Sequence, residues 1–194
     1  MKEIEVKVLN IDKEAVKEKI AAVNGILVKK EFQENYMFDF ENQMFEKKGG
    51  YVRIRKATSF LDNKEKITIT SKELISKDKF KISKEIEFKS YEFENAKLFL
   101  ESLGLIKFRL DEKFRESYQL EEGLIEIDTW AGIPTYLEVE ADSEEKVQII
   151  LEKIGYSLED STSMILKEIM EKFNIPNTDR IFTEEEKSNF FNKI

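Results

Sequence analysis

Four pairs of acids spaced two residues apart, Glu3/Glu5, Glu85/Glu87, Glu126/Asp128 and Glu138/Glu140, sit in stretches whose alternate residues are apolar. Two basic pairs of the same form, Arg53/Arg55 and Lys113/Arg115, join them, and the opening stretch EIEVK adds Lys7. Carboxylates at i and i+2 on one strand face lie about 7 Å apart, and a neighbouring strand about 4.8 Å away brings a second pair alongside. Such pairs offer hard oxygen donors to Mg²⁺ or Mn²⁺, ions that also bind phosphate oxygens. Arginine presents a planar fork to phosphate, and lysine a point charge. The combination fits a polyphosphate held between a basic wall and a metal-bearing acidic wall. EIEVK then supplies Glu3 and Glu5 to the metal side and Lys7 to the phosphate side.

A single strand of this kind reads as the wet face of a half-buried sheet. Repetition argues against that reading, because a solvated face mixes polar residues and avoids like charges as neighbours. Helices expected at 12–24, 91–103 and 143–154 carry apolar stripes that need a sheet to cover, and Ile4/Val6, Ile86/Phe88 and Leu137/Val139 offer one. With helices outside, about eight curved strands turn their charged face inward around a cavity. Buried like charges there require a guest, since uncompensated desolvation costs several kcal/mol per ion.

The elements that position these residues follow from pattern and punctuation. Asp12 caps the first helix and Asn24-Gly25 stops it; Ser90 leads the second, closed by Gly104; Asp142 with Glu145 opens the third, stopped by Gly155. Strands are expected at 26–32 and 35–40 and over YVRIRK, KITITSK, KEIEFK, KFRESYQL, LIEIDTW and TYLEVEA. Residues 72–84 read as a Lys-rich solvated loop and 159–173 as a further helix. Thr183 and Glu186 signal a short helix over 183–193, with a frayed tail as the alternative. The expected division is a domain over 1–175 followed by a tail over 176–194.

Composition removes several chemistries. The 194 residues include no cysteine and no histidine, which excludes thiolate metal sites, disulfides, and any Ser-His or Cys-His nucleophile. A net charge of −8 argues against a nucleic-acid surface while permitting a local basic pocket. No apolar run reaches membrane-spanning length and no signal peptide is visible, so the expectation is a soluble, cytoplasmic protein with no membrane partner.

In this order the residues resemble the CYTH superfamily, the triphosphate tunnel metalloenzymes. The matching segments are the ExExK of Glu3 to Lys7, NYMFD, the RxR of YVRIRK, the TxK of Thr70 to Lys72, the ExE of KEIEF, the KxRxxY of Lys113 to Tyr118, the ExD of IEID and the ExE of YLEVEA. The resemblance implies an α+β fold, an eight-stranded antiparallel β-barrel forming a tunnel with helices around it. It implies Glu3, Glu5, Glu126, Asp128, Glu138 and Glu140 as ligands of Mg²⁺ or Mn²⁺, and Lys7, Arg53, Arg55, Lys72, Lys113 and Arg115 as phosphate holders. Glu126, Asp128 and Lys7 would form the catalytic set, and Glu85 and Glu87 would line the bore without an assigned role. The family commonly carries a Ser-Tyr-type segment near the tunnel; here that region reads STSMILKEIM, with Met164 in the tyrosine's place.

The implied partner is a small molecule containing a triphosphate, and a homodimer stays open. Two reactions fit: class IV adenylate cyclase chemistry, making cyclic AMP and pyrophosphate from ATP, or hydrolysis of tripolyphosphate, thiamine triphosphate or a nucleoside triphosphate. A non-catalytic polyphosphate-binding module is the third reading, disfavoured because carboxylates oppose an anion unless metals intervene. Tyr36, Phe38, Tyr51, Tyr118, Trp130 and Tyr136 are the aromatic candidates for stacking on an organic group.

Overall fold

In a computed structural model that describes residues 2–191, the alternating segments become eight strands. They are β1 (Lys2–Val8), β2 (Ile26–Asp39), β3 (Tyr51–Ser59), β4 (Glu65–Lys77), β5 (Lys81–Ser90), β6 (Ile106–Gln119), β7 (Gly123–Trp130) and β8 (Tyr136–Ala141). All neighbours run antiparallel in a closed barrel ordered β1-β5-β4-β3-β2-β6-β7-β8. Five helices accompany them: α1 (Lys13–Ala22), α2 (Phe93–Ser102), α3 (Glu144–Lys153), α4 (Leu166–Lys172) and α5 (Glu184–Phe191).

The period of two gives most strands a largely apolar outer row, and the helices cover much of it. Val16 and Ile20 of α1 and Val147, Ile150 and Leu151 of α3 bury Val6, Ile125 and Val139. Ala96 and Leu100 of α2 pack on Phe38, Ile54 and Ile69. Asp12 caps α1, its Oδ1 accepting from the Glu14 and Ala15 amides. Gly50 lets the chain enter β3 tightly: a Cβ there would lie 2.4 Å from the Lys72 carbonyl oxygen.

Several expectations need correction. The span 72–84 is not a loop: β4 and β5 form one hairpin with only residues 78–80 between them. The helix expected over 159–173 is confined to α4, because Thr162 pairs with Lys7 through two backbone hydrogen bonds of 2.8 Å and holds that stretch extended. Ser143, not Asp142, caps α3, its hydroxyl accepting from the Lys146 amide at 3.3 Å. Glu92 stands at the N-cap of α2 where Ser90 was expected. Among the described residues no helix covers Ile86 and Phe88, which are 60% and 52% exposed.

The stretch 176–191 folds back on the barrel. Arg180 pairs in parallel with β6 at Asp111, where β6 extends past the end of β7. Phe182 then joins Phe32 and Phe114 in an aromatic cluster. Thr183 and Glu186 bond reciprocally at the start of α5. Residues 192 and 193 of the expected helix lie outside the described residues.

Candidate active site

Closing the barrel turns the paired acids and bases inward around a cavity of about 890 Å³. All fourteen residues singled out by spacing and resemblance, Glu3, Glu5, Lys7, Arg53, Arg55, Lys72, Glu85, Glu87, Lys113, Arg115, Glu126, Asp128, Glu138 and Glu140, line it. Register explains the convergence: Glu5 faces Glu140, Lys7 faces Glu138, Glu126 faces Glu138 and Arg115 faces Asp128 across adjacent strands. The acids of β1, β7 and β8 therefore form one wall, and Arg53 and Arg55 of β3 belong to another.

Most of the charge is internally paired. Lys7 donates to Glu5 at 2.5 Å, Lys81 reaches the same oxygen at 2.7 Å, and Lys72 donates to Glu3 at 2.5 Å. Burial alone would raise the Glu5 carboxyl, but Lys7, Lys81 and Lys72 together hold it well below the usual range. Arg115 grips Asp128 with two bonds, Nε to Oδ1 at 2.6 Å and Nη2 to Oδ2 at 2.5 Å, and contacts Glu126 as well. Lys113 donates to Asp128 at 2.8 Å and lies over the Trp130 ring. Against the burial that would raise it, these two cations hold Asp128 far below the ordinary carboxylate range. Burial and the nearby Arg115 and Arg55 push Lys113 down to about 7.

Two groups of charge are not balanced. Arg53 and Arg55 have no carboxylate partner within ion-pair distance among the described residues; Arg55 donates to Asn35 Oδ1 at 2.8 Å, and Arg53 to the Thr70 hydroxyl at 3.3 Å. The Arg53 Nε is buried and makes no hydrogen bond. Burial, Arg53 and Arg115 push Arg55 down to about 10. On the opposite wall Glu140 has no cationic partner among the described residues, and burial together with Glu3, Glu126, Glu138 and Glu5 raises it to about 8. Burial and Glu5 also raise Glu138, despite Lys7 and Arg115.

The acids as they stand do not form a closed metal cage: among the described residues no three converge as a ready ligand set. The donor chemistry nevertheless suits a hard dication, because the carboxylates of Glu3, Glu126, Glu138 and Glu140 share one wall and the last lacks a counter-charge. Glu3 and Glu126 also carry a cation each, Lys72 and Arg115. Glu5 keeps its Oε2 buried without a hydrogen bond beside its lysines, and Asp128 is held by Lys113 and Arg115. Glu85 takes Lys72 at 3.3 Å, and Glu87 accepts from Thr70 at 3.1 Å.

Of the aromatic candidates, Tyr51, Trp130 and Tyr136 border the cavity, with the Trp130 indole donating to the Tyr136 hydroxyl at 2.7 Å. Phe38 and Tyr118 lie in the outer core, and Tyr36 packs on Phe93. Ile165, Leu166 and Lys167 join the lining, and Leu166, Ile169 and Met170 of α4 pack with Trp130 and Tyr136. Met164 belongs to that apolar cluster.

Lys81, Asn35, Arg109 and Asp111 line the site without having been singled out. Their signal was present: Arg109, Asp111, Lys113 and Arg115 continue one alternating row, and Lys81, Ser83, Glu85 and Glu87 another. Starting those two strands three to four residues earlier than Lys84 and Lys113 would have included Lys81, Arg109 and Asp111.

A closed antiparallel barrel with a bore lined by charged side chains and helices outside defines the class, and the sequence comparison agrees. The chain belongs to the CYTH domain family, whose model matches residues 1–168. No curated protein sequence matches it. Among solved structures, protein PH1012 of Pyrococcus horikoshii superposes with a TM-score of 0.71 at 23% identity, covering 86% of this chain and 98% of its own. A candidate adenylate cyclase of Vibrio parahaemolyticus gives 0.73 at 16% identity over 87% and 97%. The Hippeastrum protein HpAC1, a candidate adenylyl cyclase with a dominant triphosphatase activity, gives 0.62 at 16% over 90% and 97%. At these identities the likeness is one of fold. Among the described residues no helix is long and apolar enough to cross a membrane.

Proposed function

We propose that the bore binds a triphosphate-containing small molecule and hydrolyses it with the help of a divalent metal, Mg²⁺ or Mn²⁺. One observation carries this reading: Arg53 and Arg55, without an ion-paired carboxylate among the described residues, present adjacent guanidiniums to a cavity whose other wall holds the surplus acid Glu140. An anion alone would satisfy the first wall and repel the second. A phosphate chain with a dication satisfies both.

Glu3, Glu126, Glu138 and Glu140 would hold the metal, which supplies charge neutralisation at phosphate oxygens and a more acidic water. Arg53 and Arg55 orient the phosphates by forked hydrogen bonds, and their fixed positive charge favours a transition state with charge spread over the transferred group. Lys7 and Lys72 already lie within 2.5 Å of carboxylates, so they can share their protons between Glu3 or Glu5 and the guest. Asp128, clamped by Lys113 and Arg115, orients those two cations.

Cyclisation of ATP is the second reading, and it needs a surface for the nucleoside. Tyr51 contributes its ring beside Arg53, whereas Trp130 and Tyr136 are bonded to each other and the remaining aromatic candidates lie outside the bore. That distribution favours hydrolysis, and the dominant triphosphatase activity of HpAC1 accords with it. Incubation with tripolyphosphate, thiamine triphosphate or ATP and either metal separates the readings: hydrolysis releases orthophosphate, cyclisation releases pyrophosphate and cyclic AMP. Metal-independent turnover, or none with any of the three, would count against the proposal.

A further inference from the structure

The match to the CYTH family ends at residue 168, and the chain beyond it returns to the bore. β7 pairs with β6 only between Gln119 and Lys113. Past that point Arg180 takes up the edge of β6: its amide donates to the Leu110 carbonyl and its carbonyl accepts from the Glu112 amide, both at 2.8 Å. Asp179 accepts from the Leu110 amide at 2.8 Å, and the Phe182 amide donates to Glu112 at 2.9 Å. Here the terminal stretch, rather than a barrel strand, completes the wall.

The seam carries a charge surplus of its own. Arg109 and Asp111 border the cavity, and Arg180, 4% exposed, lies behind them against the Met170 sulfur. Arg180 donates from Nη2 to Asp111 Oδ1 at 2.5 Å, and Arg109 from Nε to Oδ2 at 2.9 Å. Asp111 pairs with no other cation, and no other carboxylate pairs with either arginine, among the described residues. Two guanidiniums therefore share one carboxylate, and the trio keeps a net positive charge. Arg109 also donates from Nη1 to Asn177 Oδ1, while its Nη2 makes no hydrogen bond among the described residues. Register places Arg109 beside the arginines already assigned to the guest: Met37 of β2 faces Arg109 on one side and Arg53 on the other. Their backbones thus stand two strands, about 10 Å, apart, and side chains pointing inward from a curved wall converge. We propose that Arg109 is a further phosphate-binding guanidinium of the bore, and that Asn177 and Arg180 are positioning residues that keep it aimed and charged toward the guest. Arg180 does so by sharing Asp111, which would otherwise cancel Arg109; Asn177 does so by fixing the plane of the fork. This inference deepens the proposed function and rests on it.

The test is a set of mutant cycles read by calorimetric titration with tripolyphosphate and Mg²⁺. Arg109→Met is expected to weaken binding about 10- to 100-fold, the loss of one hydrogen bond to a charged group. Arg180→Met should weaken it about tenfold and Asn177→Ala, at an exposed position, about threefold, the latter with an unchanged melting temperature. Arg180→Lys, which keeps the charge beside Asp111, should restore most of the affinity. In the Arg109→Met background neither Arg180→Met nor Asn177→Ala should cost anything further, because both act through Arg109; a stretch that only holds the barrel together would lower affinity equally in the two backgrounds. Binding by Arg109→Met as tight as wild type, or additive losses in the double variants, would overturn the inference and leave the proposed function standing. A wild type that binds no tripolyphosphate would overturn both. Should Arg180→Met fail to fold, Asn177→Ala in the two backgrounds decides the question.

Discussion

Arg55 and Arg115 are both arginines in the same bore, yet their partners give them opposite roles. Arg115 neutralises Glu126 and Asp128, so Arg115→Met strands a buried acid cluster and is expected to cost about 3–5 kcal/mol of stability, measured by chemical denaturation. Arg55 makes no ion pair with a carboxylate among the described residues and is buried among like charges, so Arg55→Met should leave the melting temperature equal or higher. The same change should lower kcat/KM about 10²–10³-fold, because a donor aimed at the phosphates is lost. A fall in stability for Arg55→Met without loss of activity would reverse the assignment. Glu140 gives a pH signature. Its carboxyl is raised from 4.5 to about 8 in the fold, so the folded state holds a proton that the unfolded state has released. Its contribution is fully present below pH 4.5 and is lost as pH rises toward 8. Metal-free protein should therefore lose stability over that range, and Glu140→Gln should flatten the dependence; identical curves for the two proteins would refute the assignment. The acid pairs were readable from spacing alone because a strand's faces alternate. Which acid keeps a counter-ion was not, because Lys81 and Arg109 reach the bore from strand ends that look like loop.

Strands were more legible than helices, for a physical reason. KITITSK and KEIEFK announce their faces locally, whereas the extended backbone at Thr162 is dictated by Lys7, more than 150 residues earlier. The hairpin misread as a loop over 72–84 shows the same limit: its lysines look solvated, but Lys72 and Lys81 turn inward to meet Glu3 and Glu5. The terminal stretch is a further case. Phe182 is 5% exposed and packs tilted against Phe114, and Arg180 bonds Asp111 at the cavity wall. Phe182→Ala is expected to destabilise the protein by about 3–5 kcal/mol through the cavity it leaves. An effect below about 1 kcal/mol would show that this stretch is only loosely attached.

The barrel as a whole does what no single strand can, holding opposite charges at short range by excluding water from between them. Closed antiparallel pairing fixes the register, and the register sets the walls against each other. The net charge of −8 belongs to the surface as well as the bore, so it concealed two arginines that make no ion pair among the described residues. Calorimetric titration of tripolyphosphate with Mg²⁺ into the wild type and into Arg53→Met/Arg55→Met probes this arrangement most directly. The expected result is saturable binding of one tripolyphosphate per chain in the wild type, abolished in the double variant while its fold persists. Equal affinity in the two proteins would place the phosphates elsewhere and contradict the account.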